Sequence, residues 1–282
     1  MINLVTNQAR QQERAAIDRQ MKIIERQTVR KVALELQRQY LAAARQVEHG
    51  ELEIFHPVND GIENLRSILM ELYKRVISVF GSRVFEALEK SAMVYSHKAI
   101  QDEFQTIIDR WIVVHAAEEV VLITATTKKI LKAIIKKGLD DHKSYRDIAK
   151  SISKHVTPLN TSSVMKRAWR ITRTECHTVA IKSMNEAMET TRLKYMRQWV
   201  SAKDERTRGN VKRGKKKKSK FDHFHRYPRG ADMETIEKDG IYVGSGEPLK
   251  FPGDPDGSAG NIINCRCVEV FETRKAVIRR TV

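Results

Sequence analysis

For almost two hundred residues the apolar positions of this chain recur at steps of three, four and eight, and a sequence with that texture builds packed helices. The first stretch, about Asn7 to Glu48, is very polar: Ile17, Met21, Ile24, Val32, Leu36 and Tyr40 form a narrow stripe, with Gly50 just past its end. Such a stripe cannot enclose a core alone. It requires a partner helix, from this chain or from another protein.

Pro57, Asn59, Asp60 and Gly61 mark a break, after which Ile62, Leu65, Ile68, Leu69, Leu72, Val76 and Val79 give a wider apolar face with Asp60 placed as N-cap. Gly81-Ser82 is expected to interrupt this helix, leaving a second piece with Val84, Phe85 and Leu88. From Phe104 to Ile135 the pattern is helical again and Gly138 ends it; the β-branched run Val120 to Ile123 is read as helical because of its flanks. A short helix follows from Ser144 as N-cap to about His155, closed by Pro158. The last helix runs from about Ser162 to Tyr195.

Beyond residue 196 the texture changes. Trp199-Val200, Ile241-Tyr242-Val243, Leu249-Lys250-Phe251 and Val268 to Phe271 are short strand-like runs separated by Gly and Pro. The expected fold is mostly α. An extended N-terminal helix (1–50) and a helical domain (51–196) precede a small α+β C-terminal domain (197–282). No internal repeat is seen.

Lys and Arg number 52 against 35 acidic residues, a formal charge of +17, which attracts polyanions through counterion release. The densest charge is the loop 212–220, where Lys212, Arg213, Lys215, Lys216, Lys217, Lys218 and Lys220 would contact phosphates without reading sequence. Phe221, Phe224 and Tyr227 follow, and anchoring the loop to the domain is preferred to stacking on single-stranded bases. No apolar run reaches bilayer length and no signal-peptide pattern opens the chain, so synthesis in the cytoplasm and no membrane partner are expected. Three cysteines argue against a disulfide framework. Cys265 and Cys267 are too close for an ordinary bridge, and Cys176 reads as a small buried side chain.

The order W-x-x-x-x-D-E-R-T-R from Trp199 through Asp204 and Arg206 to Arg208, a His with Gly five residues on (His225, Gly230), P-G-D-P at Pro252 to Pro255 and N-C-R-C at Asn264 to Cys267 resembles the C-terminal domain of the phage Mu protein F-like family. The resemblance extends upstream to Arg173-Thr174-Glu175 and Asn185-Glu186-Ala187 and covers roughly the last 110 residues. This chain departs from the pattern by inserting the Lys-rich loop between the D-x-R-T-R element and the His. The resemblance implies a minor head protein of a tailed phage or prophage. Its partners would be the portal protein, other head proteins and non-specific double-stranded DNA, in head assembly, genome packaging or delivery. It would be found in the virion head, and in the host cytoplasm during assembly.

No cofactor and no enzymatic step are expected. In the preferred reading Arg266 holds Asp204 or Asp254 as a bidentate ion pair while Cys265 and Cys267 point into a small core. The weighed alternative is a metal held by His225, Cys265, Cys267 and Asp204, for which relatives with a further C-x-x-C would have a complete set that this chain lacks. Arg173 and Glu175, two apart on a helix, cannot face each other. Each is expected to find a structural ion-pair partner in the C-terminal domain. His223 and His225 compete for the family's His position, and His225 is preferred because Gly230 follows it by five residues; the runner-up function is a nucleic-acid-cleaving enzyme using His225 as general acid or base.

Overall fold

The computed structural model describes residues 2, 6–53, 55–90, 98–209, 220–224 and 235–273. Helices dominate: α1 (Asn7–Glu48), α2 (Phe55–Asn59), α3 (Ile62–Lys90), α4 (Lys98–Asp140), α5 (Tyr145–Val156), a 3-10 turn (Leu159–Thr161) and α6 (Ser163–Thr190). The C-terminal part adds β1 (Tyr195–Val200), β2 (Thr235–Glu237), α7 (Ala259–Ile262) and β3 (Val268–Thr273). The fold is therefore mostly α with a small α+β C-terminal part. None of the described helices is long and apolar enough to cross a membrane.

The chain groups into two compact units. One comprises Ile23–Arg75 and Asp109–Glu175; the other comprises Met1–Lys22, Val76–Ile108 and Cys176–Val282. This grouping differs from the segments 1–50, 51–196 and 197–282, because α1, α3, α4 and α6 each contribute to both units.

In the helical unit, Ile24, Val32, Leu36 and Tyr40 of the α1 stripe are buried. Tyr40 stacks on His155 with ring centroids 5.6 Å apart, Gln37 Nε2 donates to the Val156 carbonyl at 3.1 Å, and Lys31 reaches Glu71 at 2.6 Å. The stripe is thus covered within this chain. Burial broadens it to Val29, Ala33, Ala43, Ala44 and Val47, small or β-branched residues that a count of large apolar side chains passes over.

Several helix boundaries depart from the sequence expectation, among them the start of α4 at Lys98 where Phe104 was expected. Gly81-Ser82 does not interrupt α3, which continues to Lys90; the glycine serves close packing, since a Cβ there would lie 2.5 Å from Cζ of Phe104. The cap of α3 falls on Gly61, whose carbonyl accepts the Leu65 N–H at 3.0 Å, rather than on Asp60. Gly138 lies inside α4, and the chain leaves that helix through His142 at φ 52°, with the Gly138 carbonyl accepting from Lys143 N at 2.9 Å. The helix before Pro158 opens at Ser144 as expected: its Oγ accepts the Asp147 N–H at 3.2 Å.

In the mixed unit, β1 is the central strand of an antiparallel sheet ordered β2-β1-β3. Arg197 is paired with Ile236 on one side and with Phe271 on the other, and Trp199 with Glu269. Tyr195 belongs to this sheet and not to α6, which ends at Thr190. The turn between them passes through Arg192 at φ 56°. Of the expected strands at Ile241–Val243 and Leu249–Phe251 only the bridge Tyr242↔Leu249 forms, while β2 occupies a stretch with no strand-like texture. The first part of α1 is tied into this unit by Arg83, which binds Glu13 at 2.8 Å, and by Gln11, whose Nε2 donates to the Ser201 carbonyl at 3.1 Å.

Candidate functional site

The sheet delivers its polar residues to one end of the mixed unit. Strand β1 ends at Val200 and the chain turns through Asp204, whose Oδ1 accepts the Arg206 N–H at 3.0 Å and the Thr207 hydroxyl at 3.1 Å. Arg266, two residues before β3, places both terminal nitrogens on the Asp204 carboxylate. Hydrogen bonding and charge from Arg266 hold this carboxyl well below the ordinary range despite some burial. Arg208 donates from Nε to the Gly260 carbonyl at 2.7 Å and from Nη2 to the Ile263 carbonyl, tying the turn to the end of α7. The Arg206 side chain is exposed.

The basic loop hangs from a closed neck. Residues 210–219 lie outside the described residues, so of the phosphate-contact candidates Lys212, Arg213, Lys215, Lys216, Lys217 and Lys218 are not placed. At the neck the His223 N–H donates to the Arg208 carbonyl at 2.9 Å and the Asp222 N–H to the Ser245 carbonyl at 3.2 Å. Phe221 is buried, with the Lys220 ammonium 5.4 Å from its ring centroid. The described residues on either side of 210–219 are thus tied together by the His223–Arg208 backbone hydrogen bond.

Beneath the neck lies a compact thiol–imidazole cluster. Cys265 and Cys267 are buried with Trp199, Tyr242 and Leu249, and their sulfurs lie 3.8 and 3.5 Å from Nδ1 of His223. The other ring nitrogen, Nε2, is 2.5 Å from Oδ1 of Asn261. Asn261 Nδ2 donates to Ser245 Oγ at 3.0 Å, which fixes the amide so that its oxygen faces the imidazole. His223 must then carry a proton on Nε2, and Nδ1 faces the two sulfurs. Trp199 packs edge-on against His223 with centroids 5.2 Å apart.

Charge in this cluster is unevenly divided. Burial opposes ionisation of Cys267, yet the Cys265 thiol, His223 and Trp199 together hold it well below the usual thiol range. Cys265 is pushed well above that range by its hydrogen bond to Cys267 and by burial. Burial lowers the basicity of His223, but Cys267 and Asn261 outweigh it and leave its pKa raised. The imidazole here belongs to His223; His225 lies outside the described residues. The neck hydrogen bond from the His223 N–H to the Arg208 carbonyl sets this residue at the end of the sheet.

Two further contacts join α6 to this end of the sheet. His177 Nε2 donates to the Cys267 carbonyl at 2.6 Å, and Thr178 Oγ1 donates to the Gly253 carbonyl at 2.8 Å. Gly253 has φ 83°, and a Cβ there would stand 2.7 Å from Cε1 of His177 and closer still to Nδ1. That is why the P-G-D-P turn needs glycine at this place. Asp254 is buried, accepting from Lys250 N at 2.7 Å and from Asp256 N at 3.2 Å. A buried network stands alongside: Tyr242 donates to Glu269 Oε1 at 2.7 Å, Asn185 donates to Glu269, and Arg197 lies 3.6 Å from that carboxylate. Burial still raises the Glu269 pKa against these three partners.

Arg173 and Glu175 find their partners inside the helical unit and not in the C-terminal part. Arg173 pairs with Glu25 at 3.3 Å. Glu175 Oε2 accepts from Tyr73 at 2.6 Å and lies 3.0 Å from Nε2 of His115, whose ring stacks on Trp111 at 4.6 Å. Glu119 completes the group; burial and then the charge of Glu175 raise its pKa to about 7. Among the described residues, His223 with Cys265 and Cys267, and His115 with Glu119 and Glu175, are the sets whose ligand atoms lie within 4.8 Å of one another.

Compared with family models, with curated proteins and with solved structures, the sequence matches none.

Proposed function

We propose that this chain is a minor head protein of a tailed phage or prophage, of the Mu protein F-like kind, acting at the portal vertex in head assembly and in genome packaging or delivery. One observation supports the reading above others. The residues that carry the resemblance run from Arg173 to Cys267; Arg173 and Glu175 pair inside the helical unit, whereas at one end of the small sheet Asp204 holds Arg266 directly, Trp199 packs with Cys265 and Cys267, and Arg208 and Gly253 are tied in through Gly260 and Thr178. Motif elements that are neighbours in space define one structural unit, whereas chance matches have no reason to converge.

An adaptor without a catalytic step is favoured over a nucleic-acid-cleaving enzyme. General acid–base catalysis needs an imidazole nitrogen that can reach substrate. His223 is buried, with one nitrogen on Asn261 and the other at the two sulfurs, and so is not available for this role; His225, the residue assigned to it, lies outside the described residues. DNA contact is assigned to the basic loop, which would bind duplexes without sequence preference. Co-purification with the portal protein encoded nearby tests the adaptor role: the full-length chain should be retained by tagged portal, and failure to bind it under assembly conditions would count against the proposal.

A further inference from the structure

The geometry points to a zinc site made by His223 Nδ1 and the sulfurs of Cys265 and Cys267. Ideal tetrahedral coordination with Zn–S of about 2.3 Å and Zn–N of about 2.0–2.1 Å places sulfur and nitrogen ligands roughly 3.6 Å apart. The two sulfurs stand 3.5 and 3.8 Å from Nδ1, and the three ligand atoms all lie within 4.8 Å of one another. The two sulfur–nitrogen separations thus match edges of such a tetrahedron.

The imidazole is also held as a ligand would be. Asn261, its own amide oriented by Ser245, accepts the Nε2 proton, so the lone pair that would bind a metal points at the sulfurs. This is the outer-shell arrangement by which metal-binding histidines are oriented. A divalent cation would accept all three ligands, with the remaining thiol protons released to solvent.

Two surroundings fit the assignment. The buried Trp199 indole lies in the same core cluster as both sulfurs and offers its N–H to Cys267. His223 and Cys267 also line a cavity of about 10 Å³ with Arg206, Arg208 and Asn264, close to the space one water requires. A solvent oxygen there would supply the fourth ligand. Such a site would fasten the start of β3 to the neck of the basic loop, and it is independent of the portal-binding role.

The test is elemental analysis of the full-length chain purified under reducing conditions without chelator, followed by replacement with cobalt. The expected result is one equivalent of zinc per chain and, in the cobalt form, the visible d–d bands and thiolate-to-metal charge transfer of a tetrahedral site. Both should be lost in Cys267→Ser and Cys265→Ser. Chelation of the wild type should lower its thermal midpoint, a measurement that does not depend on the variants folding. Zinc that cannot be raised to one equivalent by reconstitution, or a midpoint indifferent to chelator, would identify the cluster as a metal-free thiol–imidazole pair. Zinc retained in both serine variants would place the metal elsewhere.

Discussion

Gly50 and Gly253 share φ 83° but differ in what a side chain would meet. At Gly50 a Cβ would stand 3.5 Å from the ring of Tyr145, an ordinary contact, whereas at Gly253 it would overlap the imidazole of His177. Gly50→Ala should therefore cost only the backbone strain of a left-handed alanine, about 1 kcal/mol. Gly253→Ala adds the displacement of His177 from the Cys267 carbonyl, to which it donates at 2.6 Å. Leaving that buried acceptor unpaired costs about 1–3 kcal/mol, for a total of about 2–4 kcal/mol. Equilibrium urea unfolding of both variants beside the wild type, followed by intrinsic tryptophan fluorescence, measures the difference. Equal losses for the two alanines would show that the P-G-D-P turn is not held against α6 in this way.

Other predictions concern charge. Asp204 is ionised well below the ordinary carboxylate range because of Arg266, so its contribution is present above about pH 4 and lost as pH falls toward the folded value; Asp204→Asn should show a shallower acid transition, and an unchanged slope would remove the ion pair as its cause. Glu119 has the opposite sign: with a folded pKa raised to about 7 against about 4.3 unfolded, it makes the wild type lose stability as pH rises across that window. Glu119→Gln should flatten that dependence in pH-resolved unfolding, and a parallel profile would refute the assignment. Tyr73→Phe removes a donor at 2.6 Å from buried Glu175 and should destabilise by about 1–3 kcal/mol, measured by denaturation; a neutral effect would mean that His115 alone satisfies the carboxylate. Replacing Lys215 to Lys218 with Ser should weaken binding to all duplexes alike and lower the salt slope by roughly 0.9 for each phosphate no longer neutralised, and a sequence-selective weakening in a binding titration would contradict a phosphate-only role.

Helices were legible because their apolar residues repeat in register with the helical turn, and α1 begins and ends where that period and Gly50 place it. Strand β3 was legible from its β-branched and aromatic run, and β1 only at its end, Trp199-Val200, since Tyr195 was read as helix; β2 was not legible, because Thr-Ile-Glu is too short to carry a period and the partner strand β1 supplies its order. Gly81 misled because conformational permissiveness and close packing leave the same letter in a sequence. The Asp204–Arg266 pairing could be anticipated from charge and planar geometry, though Asp254 was an equal candidate until the turn at Lys250 took up its carboxylate. The contacts of the His223 ring with Asn261, Cys265 and Cys267 could not be read from chain spacing, which weighs only the distance to Gly230. Asn261 and Ser245 carried no signal at all, their roles existing only once the imidazole is in place. Arg173 and Glu175 were assigned the wrong neighbours because periodicity shows that a face is buried without showing what buries it.

The central claim, that the chain is a component of phage heads, is tested most directly by mass spectrometry of purified DNA-filled particles produced by induction of the element that encodes it. The account predicts peptides of this chain in particles that withstand nuclease treatment and gradient purification, with the protein absent from particles formed without the portal. Particles complete and DNA-filled yet devoid of this chain would contradict it.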